Sequence, residues 1–201
     1  MKIKLLGLIM MAFLCVGKFF AQDSIPSVEK SIKGIQVGES GLVFNYEFKL
    51  ANQFSLRTEA GLTLAFFTYK DNPWTISDEG KTYVVALPAF TVEPRWYYNL
   101  GRRVRKGKDI IRNRANYFSL MAHYSGGWGA INPNENIDEV PDFLAIIPTW
   151  GMRRTLGNHF NYELGAGLGY MYTSKYNDFG YSHKSEGEMV VYVRARFGFD
   201  F

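Results

Sequence analysis

The chain has 201 residues, of which 16% are aromatic and 20 are glycines, and its formal net charge is +4. Three lysines, Lys2, Lys4 and Lys18, belong to an N-terminal leader, so 20 basic residues face 19 acidic ones in the remainder, whose net charge is +1. A nearly neutral chain lacks the broad basic surface that phosphate-backbone binding needs, which excludes a generic nucleic-acid binder. The length suits one domain, and the aromatic and glycine content favours an all-β fold.

Residues 1–22 have the pattern of a secretory signal peptide. Lys2 and Lys4 precede an apolar run from Leu5 to Gly17, and the small residue Ala21 marks the expected cleavage site, which the pattern locates to within a few residues. The apolar run is too short for a membrane helix. We therefore expect a cleaved leader followed by one mature domain.

The only cysteine, Cys15, lies inside this leader. The bulky Leu14 precedes it, where a lipoprotein signal has a small residue, so lipid anchoring is disfavoured. The mature domain, 23–201, is then expected to contain no thiol, which excludes disulfides, cysteine catalysis and thiolate-bound metals.

Eight segments of the mature chain alternate apolar and polar residues with the period of two that is typical of a β-strand. They are 32–38, 42–50, 54–66, 82–98, 117–128, 143–156, 160–172 and 188–201. The first is the weakest, and a turn at Glu39 to Gly41 separates it from the second. In the last, every second residue counted back from Phe201 to Met189 is apolar, whereas Arg194 and Arg196 occupy positions between them.

The polar faces of these segments carry ionised side chains of both signs. A soluble sandwich rarely buries both Arg57 and Glu59, and it does not present a leucine-rich face to water. We therefore predict that the apolar faces point outward and that the charged faces line a lumen. The predicted lumen charge network consists of Glu47, Lys49, Arg57, Glu59, Glu93, Arg95, Arg153, Glu163, Arg194 and Arg196. Glu163 is expected to pair with Arg194 or Arg196.

Strands of about 9 to 11 residues cross a bilayer, and a sheet in hydrocarbon must close on itself because every backbone group needs a partner. Both chain ends on one side require an even number of strands. The predicted fold is therefore all-β, an eight-stranded antiparallel up-and-down transmembrane β-barrel, whose interior the side chains just fill. Aromatic side chains are expected at the two interfaces. They are Trp96, Tyr98, Phe160, Tyr162 and Phe201 at the periplasmic rim, and Phe66, Tyr170 and Tyr172 at the outer rim.

Two features do not fit a simple barrel pattern. Pro88, Pro94 and Pro148 lie within predicted strands, where each removes a ladder hydrogen bond, so we expect β-bulges there. The connection from Leu100 to Arg114 holds seven basic residues against Asp109 alone, and it is longer than the usual periplasmic turn.

The sequence resembles the small outer-membrane β-barrel proteins of the Bacteroidota, and its architecture resembles the transmembrane domain of outer-membrane protein A. The segments that carry the resemblance are Glu93 to Leu100 (EPRWYYNL), Ile147 to Gly151 (IPTWG) and His159 to Glu163 (HFNYE), with the leader end Ala21-Gln22. The last strand also resembles the closing strand of bacterial outer-membrane barrels. The resemblance implies that Phe197, Phe199 and Phe201 form the signal read by the barrel assembly machinery. It implies no catalytic residues.

His123 and Ser125 form an H-x-S pair similar to that of barrel-type lipid A deacylases, in which a histidine activates a serine. The alternation places Tyr124 outward and the pair in the lumen, and Gly126 stands where that family has asparagine, so an interior histidine is favoured over an enzyme.

Acidic residues in the predicted loop 129–142 offer oxygen ligands for calcium or for a divalent bridge to lipopolysaccharide. They are Glu135, Asp138, Glu139 and Asp142. Without a calcium-loop spacing, a solvated loop is favoured. The basic connection could contact anionic headgroups or acidic groups of the cell wall. The alternative interpretation is a turn that only keeps this end of the protein soluble.

The sequence therefore predicts a non-enzymatic outer-membrane barrel with a structural or surface-interaction role and a plugged lumen. The alternatives are a narrow porin-like channel and, third, a lipid A-acting hydrolase. The expected partners are outer-membrane lipids, lipopolysaccharide, the assembly machinery and a surface ligand bound through loops 70–81, 129–142 and 174–187, which include Trp74, Phe179 and Tyr181. We expect a monomer without metal, cofactor or nucleic acid.

Overall fold

The structure is a computed structural model that describes residues 26–39, 41–69, 81–131, 139–178 and 181–201. The predicted leader, Trp74 and Phe179 lie outside the described residues. The strands are β1 Ser31–Gly38, β2 Gly41–Ala51, β3 Phe54–Tyr69, β4 Lys81–Trp96, β5 Asn116–Ser125, β6 Phe143–Leu156, β7 Phe160–Thr173, β8 Tyr176–Asp178, β9 Tyr181–His183 and β10 Glu186–Asp200. The described parts of the connections contain a helix, α1 Leu100–Arg105, and two 3-10 turns, Ile111–Asn113 and Gly127–Gly129.

Eight of these strands form a closed barrel in the order β1, β10, β7, β6, β5, β4, β3, β2. Every neighbouring pair is antiparallel, and β1 closes the ring by pairing Ile35 with Phe199 of β10. The predicted eight-stranded antiparallel topology is confirmed, including the separate first strand and the closing role of the last. The remaining two strands, β8 and β9, form a small hairpin within the connection 174–185, which the sequence pattern did not predict.

Alternate residues along each strand face opposite sides of the barrel wall. On the outer side, Phe44 is 61% exposed, Leu168 57% and Val191 78%. On the inner side, Arg57 and Arg95 are both fully buried. The molecule therefore presents apolar side chains outward and encloses ionised ones, the reverse of a water-soluble barrel.

The prolines do not produce bulges, and that prediction is wrong. The register is unchanged across Pro88 and Pro94 in the β3–β4 pair and across Pro148 in the β5–β6 pair. In an antiparallel ladder the N–H and C=O of one residue point to the same neighbour, so a proline leaves the ladder on its other side intact. Pro94 interrupts the pairing of β4 with β5, and Pro148 interrupts the pairing of β6 with β7. The register shift in β2 lies elsewhere, between Lys49 and Ala51.

The connection after β4 differs from the predicted basic turn. β4 ends at Trp96 rather than at Tyr98, and Tyr97 turns into the barrel, where it is fully buried. Together with Leu100, the first residue of α1, it belongs to a small apolar cluster that also includes Val28, Ala115 and Tyr117. This cluster closes the helix end of the barrel, which we define as the end that carries α1 and the turns at 52–53 and 157–159.

The opposite end, called here the loop end, carries the turn at Glu39 and the connections after β3, β5 and β7. β5 stops at Ser125, before the predicted Trp128, because the chain enters the 3-10 turn at Gly127. No helix in the described part of the chain is long and apolar enough to cross a membrane.

The barrel wall is lower on one side of the loop end. β10 pairs with β7 from Phe199 up to Glu186, but its pairing with β1 stops at Arg196. Similarly, β3 pairs with β4 up to Tyr69, but its pairing with β2 stops at Leu62. The β1–β2 hairpin is thus shorter than its neighbours and leaves a gap in the described part of the wall, called here the notch.

Candidate functional sites

The predicted lumen charges converge in the half of the barrel nearer the helix end. Nine of the ten are at most 3% exposed. Lys49 is the exception and does not belong to the network: it is exposed, and its Nζ donates a hydrogen bond to Ser27 Oγ at 2.7 Å. It lies next to the β2–β3 turn, where the lumen opens to the rim, so strand alternation alone misplaced it.

Glu163 on β7 is the centre of the network. Its carboxylate lies within ion-pair distance of four guanidinium groups: Arg153 at 2.5 Å, Arg95 at 3.0 Å, Arg57 at 3.2 Å and Arg194 at 3.7 Å. The predicted pairing with Arg194 is therefore present. The four arginines come from β6, β4, β3 and β10, so one carboxylate links strands from around the barrel.

Further pairs extend the network toward both ends. Glu93 accepts from Arg194 at 3.0 Å, and Glu59 accepts from Arg196 at 2.8 Å. Near the helix end, Asp200 accepts from Arg153 at 2.7 Å. Five buried arginines thus face five buried carboxylates, which are Glu47, Glu59, Glu93, Glu163 and Asp200. The charges balance, so the network needs no external ion to neutralise it.

Three further polar side chains, those of Asp200, Tyr97 and Asn113, lie in the lumen outside the predicted network. Asp200 lies on the polar alternation between two phenylalanines and could have been found from that signal. Asn113 Nδ2 donates to Glu47 at 2.6 Å, and Tyr97 donates to the same carboxylate at 2.9 Å. Burial and the Glu47 carboxylate raise the pKa of Tyr97 well above its ordinary value, so it remains a donor. Asn113 comes from the basic connection, whereas Tyr97 lies in the predicted strand 82–98, where the alternation that points Glu93 and Arg95 inward could have located it.

At the loop end, Glu39 ties the short hairpin to β10. Its Oε1 accepts from Arg196 Nε at 2.9 Å and from Tyr192 at 2.8 Å, while Oε2 accepts from the backbone N–H of Ala195 at 2.9 Å. Burial opposes ionisation of Glu39, but the Arg196 charge and these hydrogen bonds outweigh it and hold its pKa below the ordinary value.

Above the network, the loop end encloses a cavity of about 470 Å³, called here the side cavity. Leu87, Phe143, Ala145 and Met171 line its apolar part, and the rim is polar.

His123 and Ser125 also line the side cavity, whereas Tyr124 points outward and is 37% exposed. His123 Nδ1 lies 2.9 Å from Thr91 Oγ1, so the histidine is held by threonine. Within the described residues no hydrogen bond joins His123 to Ser125. The arrangement therefore lacks the base-to-nucleophile contact that serine activation uses.

Part of the predicted acidic loop can be located. Glu135 and Asp138 lie outside the described residues. Asp142 accepts from the backbone N–H of Gly127 at 2.8 Å, and Glu139 accepts from that of Asn177 at 2.9 Å. Among the residues the structure describes, no group of three or more His, Cys, Asp or Glu side chains is placed to hold a metal ion.

The basic connection forms a second, shallower pocket of about 200 Å³ at the helix end. Asn99 and five cationic side chains line it: Arg102, Arg103, Lys106, Lys108 and Arg154. Burial and the neighbouring Arg114 lower the pKa of Arg103. Aromatic side chains lie beside this pocket on the outer face, where Trp150 Nε1 donates to Tyr98 at 3.0 Å.

Of the predicted assembly residues, Phe197 and Phe199 lie on the outer face of β10, and Phe201 follows directly after the strand. Phe197 is 63% exposed and Phe201 69%, and the ring of Phe199 packs edge-to-face on Phe160 at 5.3 Å.

Comparison with models of protein families, with curated proteins and with solved structures found no match.

Proposed function

We propose that the chain is a non-enzymatic outer-membrane β-barrel protein with a structural or surface-interaction role, of the kind found among small Bacteroidota barrels. The observation that carries the proposal is the combination of a closed sheet, a buried charge network and an apolar outer face. A contiguous apolar surface of this kind is rare on soluble monomers. A hydrocarbon surrounding makes that surface favourable, and a closed barrel leaves few backbone groups unpaired in it.

The aromatic positions support the same surroundings. Trp96, Phe160 and Phe201 are exposed near the helix end, and Phe66 and Tyr170 are exposed nearer the loop end. Aromatic girdles at two levels are typical of transmembrane barrels. In this proposal the helix end faces the periplasm, the loop end faces the exterior with lipopolysaccharide and a surface ligand as partners, and the barrel is a monomer.

Two further contacts belong to the proposal. The basic pocket at the helix end contacts the phosphate groups of inner-leaflet lipids, because five cations lie beside the Trp150–Tyr98 pair at the level expected for headgroups. The outward-facing aromatic side chains of Phe197, Phe199 and Phe201 serve as the signal for the assembly machinery.

The charge network argues for a plugged lumen. Glu163 and the arginines around it span the barrel and are fully buried, so ion passage would require breaking pairs within a low-dielectric interior. A narrow channel is the alternative, since the side cavity opens the loop half of the lumen. Planar-bilayer conductance separates the two: the plug predicts no steady openings, and the channel predicts them.

The experiment that tests the proposal is membrane fractionation of the full chain combined with gel mobility before and after heating. An outer-membrane barrel partitions with the outer membrane and migrates faster unheated than heated. Recovery in the soluble fraction, or mobility that heating does not change, would refute it.

A further inference from the structure

The notch leaves two strand edges without a described partner. On one side, β10 continues from Ala195 up to Glu186 beyond its pairing with β1. On the other, β3 continues beyond Leu62. Three strand spacings separate β3 from β10 across the missing hairpin, roughly 14 Å. Such a gap is wide enough for a hydrocarbon chain.

The side cavity borders this notch, because residues of β3 and of β10, the strands on the two sides of the notch, belong to its lining. Its lining includes four consecutive residues of β3, which are Thr63, Leu64, Ala65 and Phe66. Consecutive residues of a strand face opposite sides of the sheet. Leu64 and Phe66 point outward on the part of β3 that has no described partner on the β2 side, so their place in the lining indicates that the side cavity reaches the open edge of β3.

Apolar side chains lie both on the outer face beside the notch and inside the cavity. Outside the notch, Val191 is 78% exposed, Val193 63% and Leu64 46%. Inside, Phe143 and Met171 belong to the apolar lining. The charged side chains of the lining, Lys184, Glu186 and Glu188, lie at the loop end, and the lining also includes His123 and Ser125. This distribution matches a molecule with one hydrocarbon chain and one polar end.

We propose that the side cavity binds a single-chain amphiphile, whose hydrocarbon chain passes from the outer leaflet through the notch and whose polar end remains at the rim. The volume of about 470 Å³ lies within the range of about 300–1,000 Å³ that ligand pockets occupy. The inference rests on the proposed function for the membrane source of the ligand, but the cavity itself does not depend on it. Glu39 stabilises the lower edge of the notch by accepting from the Ala195 N–H.

The test uses a fatty acid with a photoactivatable diazirine in its chain, added to the mature protein in phospholipid vesicles and in detergent. Mass spectrometry then locates the adducts. We expect adducts on inward-facing lining residues such as Met171 and Phe143. Adducts confined to outward-facing residues such as Leu168 and Tyr170 would overturn the proposal.

Two variants on one background provide the matched control. Ala145→Trp fills the cavity and should reduce the inward adducts at least tenfold, whereas Ala166→Trp makes the same change on the outer face and should leave them unchanged. Heat-modifiable mobility shows that each variant is folded, and Ala145→Leu replaces the first if it is not. Equal inward labelling of the filled and unfilled cavity would refute the inference.

The outcomes also separate this inference from the proposed function. A protein that fractionates with the outer membrane but carries only outward adducts keeps the proposed function and loses the cavity ligand. A protein found in the soluble fraction that still carries inward adducts, lost on filling the cavity, keeps the ligand site and loses the membrane assignment.

Discussion

Replacing Glu163 by glutamine should destabilise the barrel more than any other single removal of charge. The glutamine keeps the shape of the side chain but removes the negative charge that four buried guanidinium groups share, all within 3.7 Å. Breaking a buried ion pair by neutralising one partner costs about 3–5 kcal/mol, because the other charge remains buried without compensation. With a urea dependence of about 2 kcal/mol per molar, the midpoint should fall by roughly 1.5–2.5 M.

The assay is urea unfolding of the refolded barrel in lipid vesicles, followed by tryptophan fluorescence. The matched control is Glu188→Gln, an exposed carboxylate on β10 without an ion pair among the described residues, which should leave the midpoint unchanged. Adding Arg57→Gln to Glu163→Gln restores the balance of charge, so the double variant should recover part of the loss. An unchanged midpoint for Glu163→Gln would refute the balanced-network account. A double variant that loses more stability than the two single variants lose together would also refute it.

Three other changes have defined outcomes. Glu39→Gln should be destabilising at neutral pH. The folded-state pKa of Glu39 lies below its ordinary value of 4.5, so the stability that the ionised carboxylate contributes is complete above pH 4.5 and is lost as the pH falls through the folded-state pKa. The stabilities of the wild type and the variant should therefore converge in acid. A constant difference down to pH 2 would contradict this. Ser125→Ala should leave the lipid A profile of the cell unchanged, whereas an altered profile would favour the hydrolase. Replacing Lys106 and Lys108 by glutamate should weaken binding of the refolded protein to vesicles rich in anionic lipid and should have little effect on binding to neutral vesicles. Equal effects on both kinds of vesicle would contradict the proposed headgroup contact.

Strand alternation predicted most of the barrel because the period of two is set locally by the backbone. Arg57 and Glu59 revealed which face was enclosed, and the pairing of Glu163 with Arg194 followed from their positions on adjacent strands. These inferences needed only the side-chain pattern and the requirement of closure.

The remaining features depend on where the strands stop, which the alternation does not encode. Lys49 follows the inward pattern but lies at the rim, because β2 ends two residues later. Asn113 enters the lumen from the basic connection, whose composition looks solvated. The notch arises from unequal strand lengths, visible only once Arg196 and Leu62 are known to be the last paired residues.

The central claim is that the outer face meets hydrocarbon. The mature chain contains no native cysteine if the leader is cleaved, so a fluorophore attached to Leu120→Cys, an outward position that is 46% exposed, reports on that face alone. Its matched control is Lys184→Cys, exposed at the loop end. In vesicles, the label at position 120 should emit at short wavelength and be quenched by nitroxides on lipid chains, and the label at position 184 should be quenched by iodide. Quenching of the label at position 120 by iodide and not by the lipid nitroxides would contradict the account.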